Sequence, residues 1–162
     1  MGAHNHAGKD IFYEESMRIP MIISWPEKIQ PRKDEHLMIA FADLYPSLLS
    51  VMGFRKEIPG TVQTFDLSRE ILGESRREVI QPYYFVQFDN HAIGYRGLRT
   101  ATHTFVVHAQ NGIIDETVLF DRTKDPYQIN NIAEHSPKLV RQFREQLKKW
   151  LHHTHDSFAN YL

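Results

Sequence analysis

The sequence predicts an α+β protein, in which a segment of α/β type is followed by a four-stranded antiparallel sheet packed against a C-terminal helix. Two observations carry this prediction. Between residues 82 and 122, four short segments rich in aromatic and β-branched residues alternate with period two. An apolar stripe at helical spacing then runs from Leu139 to Leu151. Sequential strands joined by short turns are typical of an antiparallel meander, and the stripe would cover one of its faces.

The composition is that of a globular chain. Apolar residues make up 41% of the 162 residues and aromatic residues 12%, which is enough for a packed core. Nineteen Lys and Arg balance twenty Asp and Glu without a long basic run, so nucleic acid is a poor candidate partner. Cysteine is absent, which excludes a disulfide, a thiolate metal site or a cysteine nucleophile within this chain. The longest apolar runs fall far short of the roughly 20 residues that a membrane span needs.

The first half of the chain begins with a polar, His-rich segment and a candidate strand. Residues 1–10 fit either an active-site loop or a tag-like tail. Residues 19–25 are apolar on both sides, which is typical of a parallel strand covered by helices on both faces. Pro20 and Pro26 bracket this run, as the interior of a strand requires.

Two helices are predicted next. The run FADLYPSLLSVMG has apolar residues at helical spacing, namely Leu44, Leu48, Val51 and Met52. Asp43 would cap this helix, Pro46 is tolerated in its first turn, and Gly53 would end it in a left-handed conformation. A shorter helix over residues 66–72 would end at Gly73.

The second half begins at a charged segment, residues 74–78, which is the candidate boundary between residues 1–76 and residues 77–162. The four predicted strands are PYYFVQF, GYRGLRT, HTFVVHA and ETVLFDR. They are separated by the turn-prone pairs Asp89-Asn90, Ala101-Thr102 and Asn111-Gly112. Ser136 and Pro137 then supply the N-cap and first turn of the C-terminal helix.

Two histidine groups have ordinary interpretations beside the functional ones. His4-Asn5-His6 spells HNH, but the nuclease of that nickname spreads its residues over a ββα metal unit. The pair His4 and His6 has a spacing that could serve a metal, yet histidines in a terminal segment are more often solvated. The same holds for His152, His153 and His155 at the end of the last helix.

Five motifs, taken in order, resemble the sulfatases. GAHNHAGK, followed by YEES and RIP, is similar to the loop that passes through the active site of these enzymes into a strand. FADLYPSLLSVMGF resembles their next helix, and residues 58–68 resemble the loop and short helix after it. YRGLRTATHTFVVH resembles the Arg-x-x-Arg-Thr strand pair of their small C-terminal subdomain, and residues 119–133 resemble its closing turn. The likeness covers roughly residues 2–135.

This resemblance implies roles for three residues. Lys9 matches the lysine that contacts the sulfate in that family, and His4 matches a histidine beside the substrate. A compact ammonium suits this task because it can neutralise sulfate oxygens as charge builds towards the leaving alkoxide. His91, in the loop DNHAIG, corresponds to a region that can reach the substrate pocket from the C-terminal subdomain. The alternatives are a solvated surface cation for Lys9 and an ordinary hairpin-loop residue for His91.

The resemblance also implies groups that this chain does not supply. Sulfatases use a formylglycine made from Cys or Ser in a Cys/Ser-x-Pro-x-Arg motif, beside a Ca²⁺ ion. The run SWPEK at residues 24–28 imitates that motif without its arginine, and a surface loop follows it instead of a helix N-terminus that could receive sulfate. Residues 1–18 offer few oxygen ligands for Ca²⁺, which takes about six to eight. We therefore expect no metal or cofactor in this chain, and both in the parent enzyme.

The leading hypothesis makes residues 1–76 the last part of an alkaline-phosphatase-like α/β catalytic domain and residues 77–162 the small C-terminal subdomain of a sulfatase. Its partner would be the missing N-terminal domain, its substrate a sulfated carbohydrate or an aryl sulfate, and the chain alone would be inactive. A phosphonate or phosphodiester hydrolase of the same superfamily is the alternative with a similar Gly-Lys segment. The family resemblance favours a periplasmic or other extracytoplasmic location, which the residues themselves leave open.

A hypothesis of a different class is a non-catalytic interaction module. Cutting an α/β domain would expose apolar surface around residues 21–25 and on one face of the helix over residues 43–53. We expect such a surface to favour self-association or binding of a partner.

Overall fold

The computed structural model describes residues 3–5, 8, 11–34, 37–75, 81–84 and 93–162, with the backbone alone for 81–84. The chain forms two compact units, Met1–Pro20 with Pro82–Leu162, and Met21–Gln81. The first unit is discontinuous, because the N-terminal segment joins the C-terminal half. The boundary predicted between residues 76 and 77 lies outside the described residues.

The sheet consists of β1 (Gln81–Tyr84), β2 (Gly94–Arg99), β3 (His103–Gln110) and β4 (Ile113–Asp121), in that spatial order. Strand β3 pairs antiparallel with both β2 and β4. Asn111 and Gly112 turn the chain between β3 and β4 with φ angles of 52° and 78°, in the left-handed region that a two-residue hairpin turn requires. The predicted α+β class and the antiparallel sheet of β2, β3 and β4 are thus confirmed.

Helix α4 (Pro137–His153) covers one face of this sheet. It begins at Pro137, as predicted, because the first residue of a helix needs no partner for its N–H group. Phe143, Leu147 and Leu151 of the predicted apolar stripe are buried. The ring of Phe143 lies 5.9 Å from that of Phe105 in β3. A short 3₁₀ turn, Ser157–Tyr161, follows the helix.

The N-terminal segment, residues 11–17, covers the opposite face and ends in the one-turn helix α1 (Glu14–Met17). Phe12 is its buried anchor. The side chains that surround this ring are Val106, Val118 and Phe120. Since neighbouring strand residues point to opposite faces, Val106 meets Phe12 while Phe105 meets α4. The sheet is therefore covered on both faces within one unit.

A nearly buried ion pair fixes the N-terminal segment on the sheet. Arg99 donates from Nε and Nη2 to the two carboxylate oxygens of Glu14, at 2.7 and 2.9 Å. Arg122 Nη1 lies 3.8 Å from the same carboxylate, and the backbone N–H of Glu14 donates to Gln128 Oε1 at 2.7 Å. Burial raises the pKa of Glu14, but the hydrogen bond and charge of Arg99, with the charges of Arg122 and Arg18, outweigh burial. The net pKa lies below the ordinary value of 4.5.

A second buried ion pair lies on the α4 side. Arg96 is almost fully buried, and its Nε donates to Asp156 Oδ2 at 2.7 Å. The guanidinium carbon lies 4.9 Å from the centroid of the Phe158 ring, which is within cation–π range. The alternation of β2 thus sends Arg96 to one face and Arg99 to the other, and both arginines of the YRGLRT motif hold flanking segments on the sheet.

The second unit contains helices α2 (Leu44–Val51) and α3 (Ser68–Leu72), with short 3₁₀ turns at Phe41–Asp43 and Arg55–Glu57. Gly53 and Gly73 lie just beyond the two helices with φ angles of 92° and 82°, as predicted. The prediction that the Asp43 side chain caps α2 is wrong, because it makes no capping hydrogen bond to the first turn of that helix. Its carboxylate accepts hydrogen bonds from the backbone N–H groups of Ala40 and Phe65, at 2.9 and 3.0 Å, and so ties the start of α2 to the loop before α3.

The predicted buried strand over residues 19–25 does not form in this structure. The backbone there is irregular, and Ile19 and Ile22 are 76% and 95% exposed. A parallel strand needs hydrogen-bonded neighbours. Within the part of the chain that the structure describes, no strand pairs with this segment. The apolar run is therefore left on the surface.

Helix α2 and the turn before it expose an apolar stripe, here named the α2 stripe. Its members are Phe41, Tyr45, Leu48 and Met52. Their spacing of four, three and four residues places them along one side of a helix. Among the described residues, no helix is both long and apolar enough to cross a membrane.

We predict that Gly97→Ala destabilises the sheet of the first unit. A Cβ atom at this position would lie 2.5 Å from the carbonyl oxygen of Phe105 and 3.0 Å from Cγ2 of Val106. The strands must shift to relieve this overlap, at a cost of about 1–3 kcal/mol in the free energy of unfolding. Urea unfolding measures the change. Gly60→Ala is the matched control, because nothing lies within 4 Å of its Cβ position; equal losses for both variants would contradict the steric argument.

We also predict that Glu14 makes stability depend on pH. Because folding lowers its pKa below 4.5, the stability that the carboxylate contributes is fully present above pH 4.5 and is lost as the pH falls through the folded-state pKa. Glu14→Gln should be less stable than the parent at pH 7, and the difference in the free energy of unfolding, measured with urea, should shrink as the pH is lowered below 4.5 and through the folded-state pKa of Glu14. Glu74→Gln removes a carboxylate from an exposed pair with Arg69 and should follow the parent. A gap between Glu14→Gln and the parent that stays constant with pH would contradict the prediction.

Candidate functional site

The structure describes one of the three predicted site residues. His4 lies within the described residues, whereas Lys9 and His91 lie outside them. The roles suggested for Lys9 and His91 therefore stay predictions.

His4 packs against the N-terminal segment that covers the sheet. Its ring is stacked on that of Tyr13, with centroids 3.6 Å apart and planes inclined by 1°. Its Nε2 atom lies 3.6 Å from Oε2 of Glu15, and the side chain is 16% exposed. This packing argues against the interpretation of His4 as a solvated tail residue.

The backbone at His4 is also unusual. His4 and Asn5 have φ angles of 52° and 60°, in the left-handed region. Residues with a Cβ atom adopt this region rarely, and two in succession need surrounding contacts to hold them. Such strained positions occur preferentially at binding and catalytic sites.

A row of polar and aromatic side chains lies on the same face of the sheet as Phe12. Tyr95, His108 and Glu116 are opposite one another on β2, β3 and β4. The Tyr95 hydroxyl donates to Glu116 Oε2 at 3.4 Å, and its ring lies 4.6 Å from that of His108. His108 Nδ1 is 2.5 Å from Asp115 Oδ1. We refer to Tyr95, His108 and Glu116 as the cross-strand row.

Burial and the cross-strand row together raise the pKa of two tyrosines. Burial, followed by the charge and hydrogen bond of Glu116, raises the pKa of Tyr95 to about 12. Burial also raises the pKa of Tyr13, with the negative charges of Glu116 and Glu15 adding to the effect. Both phenols therefore stay protonated at physiological pH and can donate hydrogen bonds.

Sequence reasoning missed the cross-strand row, although the signal was present. The turn at Asn111-Gly112 and the short connection at Ala101-Thr102 restrict the register of β2, β3 and β4. Within that register, period-two alternation places Tyr95, His108 and Glu116 side by side.

Residues 24–28, which imitate the nucleophile motif of the sulfatases, contain a surface turn. The backbone N–H groups of Lys28 and Ile29 donate to the carbonyl oxygen of Trp25, at 2.9 and 2.7 Å. Lys28 Nζ lies 4.4 Å from the centroid of the Trp25 ring. Ser24 is therefore followed by a turn, and no helix begins there. Within the described ranges, no group of three or more His, Asp or Glu side chains is arranged to hold a metal ion.

Comparison with known proteins places the chain among the sulfatases. The family model described as N-sulphoglucosamine sulphohydrolase, C-terminal, matches residues 2–156. The crystal structure of yidJ from Bacteroides fragilis, described as that of a sulfatase, superposes with a TM-score of 0.96 at 65% identity, over 99% of this chain and 35% of that one.

Two curated relatives come from Bacteroides thetaiotaomicron. An endo-4-O-sulfatase is 28% identical over 83% of this chain and 29% of its own length. An N-acetylglucosamine-6-O-sulfatase is 28% identical over 92% of this chain and 28% of its own length. The chain thus spans less than a third of the length of these relatives. With a family model that matches nearly all of its residues, the chain belongs to the sulfatase family, as a C-terminal sulfatase domain.

Proposed function

We propose that this chain is the C-terminal portion of an enzyme that hydrolyses sulfate esters of carbohydrates or aryl compounds. In this proposal His4 and His91 contact the substrate and Lys9 binds the sulfate, while the nucleophile lies in an N-terminal catalytic domain. The chain alone is inactive. The family match supports the reaction class, and the names of the two curated relatives support a sulfated sugar as substrate.

The observation that carries the proposal for the site is the placement of His4. The stack on Tyr13 fixes the plane of the imidazole, and Glu15 lies beside Nε2. An imidazole held in this way can donate a hydrogen bond to a sulfate or leaving-group oxygen without first losing conformational freedom. The strained backbone at His4 supports the same role, since the surrounding structure must hold it in place.

The residues that the structure describes do not fit the Ca²⁺ ion and the formylglycine that the family resemblance implies. Among the described residues no cluster of acidic or histidine side chains could hold a metal ion. The chain has no cysteine, and Ser24 lies in an exposed segment before a turn. Both groups are therefore assigned to the N-terminal catalytic domain. Residues of this chain are proposed only to bind and orient the substrate.

The first test is an activity assay. The isolated 162-residue chain should release no 4-nitrophenol from 4-nitrophenyl sulfate above the buffer rate. The whole protein should hydrolyse this ester, and Lys9→Ala should lower its kcat by about 10²-fold, as expected for loss of one charged group that stabilises the transition state.

Lys28→Ala serves as the matched control, because Lys28 lies over Trp25 in a surface turn. Turnover by the isolated chain would overturn the assignment of the nucleophile to another domain. If the whole protein cleaves bis(4-nitrophenyl) phosphate much faster than the sulfate, the phosphodiesterase alternative is correct.

A second candidate function, binding of a protein partner or a second copy, is favoured by the α2 stripe. Its four side chains are between 40% and 87% exposed. Monomeric soluble proteins seldom expose apolar residues in such a row. In the proposed enzyme the catalytic domain would cover this stripe, and in the isolated chain another copy would do so.

We predict that the isolated chain self-associates through the α2 stripe. Light scattering at increasing concentration should give a mass above 19.1 kDa, and the double variant Leu48→Lys with Met52→Lys should return it to that of a monomer. Ile113→Lys is the control, because Ile113 is 70% exposed, more than Leu48 or Met52, but lies outside the stripe. A monomeric parent chain at high concentration would contradict the prediction.

A further inference from the structure

We propose that Glu14, Arg99 and Gln128 are positioning residues through which the C-terminal sheet fixes the orientation of His4. This inference rests on the proposed function, because it assigns the three residues a task in substrate binding. They are not proposed to touch the substrate.

The side chain of Glu14 is a strong anchor of the N-terminal segment. Its carboxylate and the Arg99 guanidinium form two parallel hydrogen bonds, with side chains 14% and 18% exposed. A bidentate pair fixes both distance and direction, unlike a single contact between point charges. Removing one partner leaves the other charge poorly solvated, so the pair strongly favours the docked segment.

The backbone of Glu14 is held as well as its carboxylate. Its N–H group donates to Oε1 of Gln128. Gln128 is almost fully buried and has a φ angle of 53°, in the left-handed region. Burial restricts the rotamers of the Gln128 side chain, so its hydrogen bond to the Glu14 N–H group holds the start of α1.

Tyr13 links the anchor at Glu14 to His4. Three consecutive side chains have separate roles: Phe12 enters the core, Tyr13 stacks on His4, and Glu14 binds Arg99. Because Tyr13 lies between two anchored neighbours, its backbone is held in place, and contacts of its ring with those of Phe12 and Phe120, at centroid distances of 4.7 and 5.9 Å, restrict the rotation of the side chain. The ring of Tyr13 in turn sets the plane of the His4 imidazole.

The C-terminal sheet, which holds no proposed nucleophile, would thus have a defined task in the enzyme. The first proposed substrate contact lies before α1, whereas Arg99 and Gln128 lie more than eighty residues later. The C-terminal sheet then acts as the support on which a substrate-binding residue is oriented.

The test is a double-mutant cycle in the whole protein. His4→Ala alone should lower kcat/KM for a sulfate ester about tenfold, and Glu14→Gln alone should lower it by a similar factor. If Glu14 acts through His4, adding Glu14→Gln to His4→Ala should lower kcat/KM by less than twofold. Full additivity of the two losses would overturn the inference. The charge exchange Glu14→Arg with Arg99→Glu should recover part of the loss of either single change.

Asp156→Asn separates positioning from general stability. It breaks the buried Arg96 pair on the other face of the sheet, so it should lower the melting temperature at least as much as Glu14→Gln. Its kcat/KM below the melting transition should stay near that of the parent. An equal loss of kcat/KM in Asp156→Asn would reduce the Glu14 effect to destabilisation and refute the inference.

A second measurement separates this inference from the proposed function. In the isolated chain, stacking on Tyr13 should shift the ring protons of His4 upfield, and Glu14→Gln should move them to the values of an unstacked histidine. The same variant should increase amide hydrogen exchange in residues 14–18. Unchanged His4 shifts in Glu14→Gln would overturn the positioning. A whole protein without sulfate-ester hydrolysis would overturn the proposed function, while these spectra would still decide whether Glu14 orients His4.

Discussion

In the first unit, the docking of the N-terminal segment on the sheet depends on one ion pair that joins residues 85 positions apart in the chain, Glu14 and Arg99. Both side chains are largely shielded from water, so each needs the other. Without this pair, Phe12 and its neighbours would be attached to the sheet by apolar contacts, which do not specify direction, and by the hydrogen bond from the Glu14 N–H group to Gln128. The pair therefore fixes where the N-terminal segment lies on the sheet. A defined position of His4 requires this.

The parts of the fold that could be predicted from the sequence are those set by local rules. The turn at Asn111-Gly112 follows from the φ angles that two-residue hairpins demand, and α4 follows from Pro137 and an apolar stripe. The ends of α2 and α3 follow from Gly53 and Gly73 in the same way. These signals are contained within a few residues, so no knowledge of tertiary contacts is needed.

The predictions that failed depended on distant partners. Asp43 had the sequence context of a helix cap, but its carboxylate accepts hydrogen bonds from the N–H groups of Ala40 and Phe65 instead. Residues 19–25 had the pattern of a buried strand, and the described part of the chain offers no neighbouring strand. For the site, the role of His4 beside the substrate stays a prediction, and pairing Glu14 with Arg99 would have required the docking of the N-terminal segment to be known in advance.

The cross-strand row joins residues that are distant in sequence, yet local rules determine its alignment. Tyr95, His108 and Glu116 are far apart in sequence, yet their alignment follows from hairpin register and period-two alternation. Placing Glu116 beside two half-buried phenols has one clear electrostatic effect, because a nearby carboxylate opposes ionisation of both. Burial and the carboxylate of the row therefore extend to higher pH the range over which the Tyr13 phenol is a neutral hydrogen-bond donor, since both raise its pKa. The same sheet that holds the N-terminal segment by Arg99 thus also raises the pKa of the phenol on which His4 is stacked.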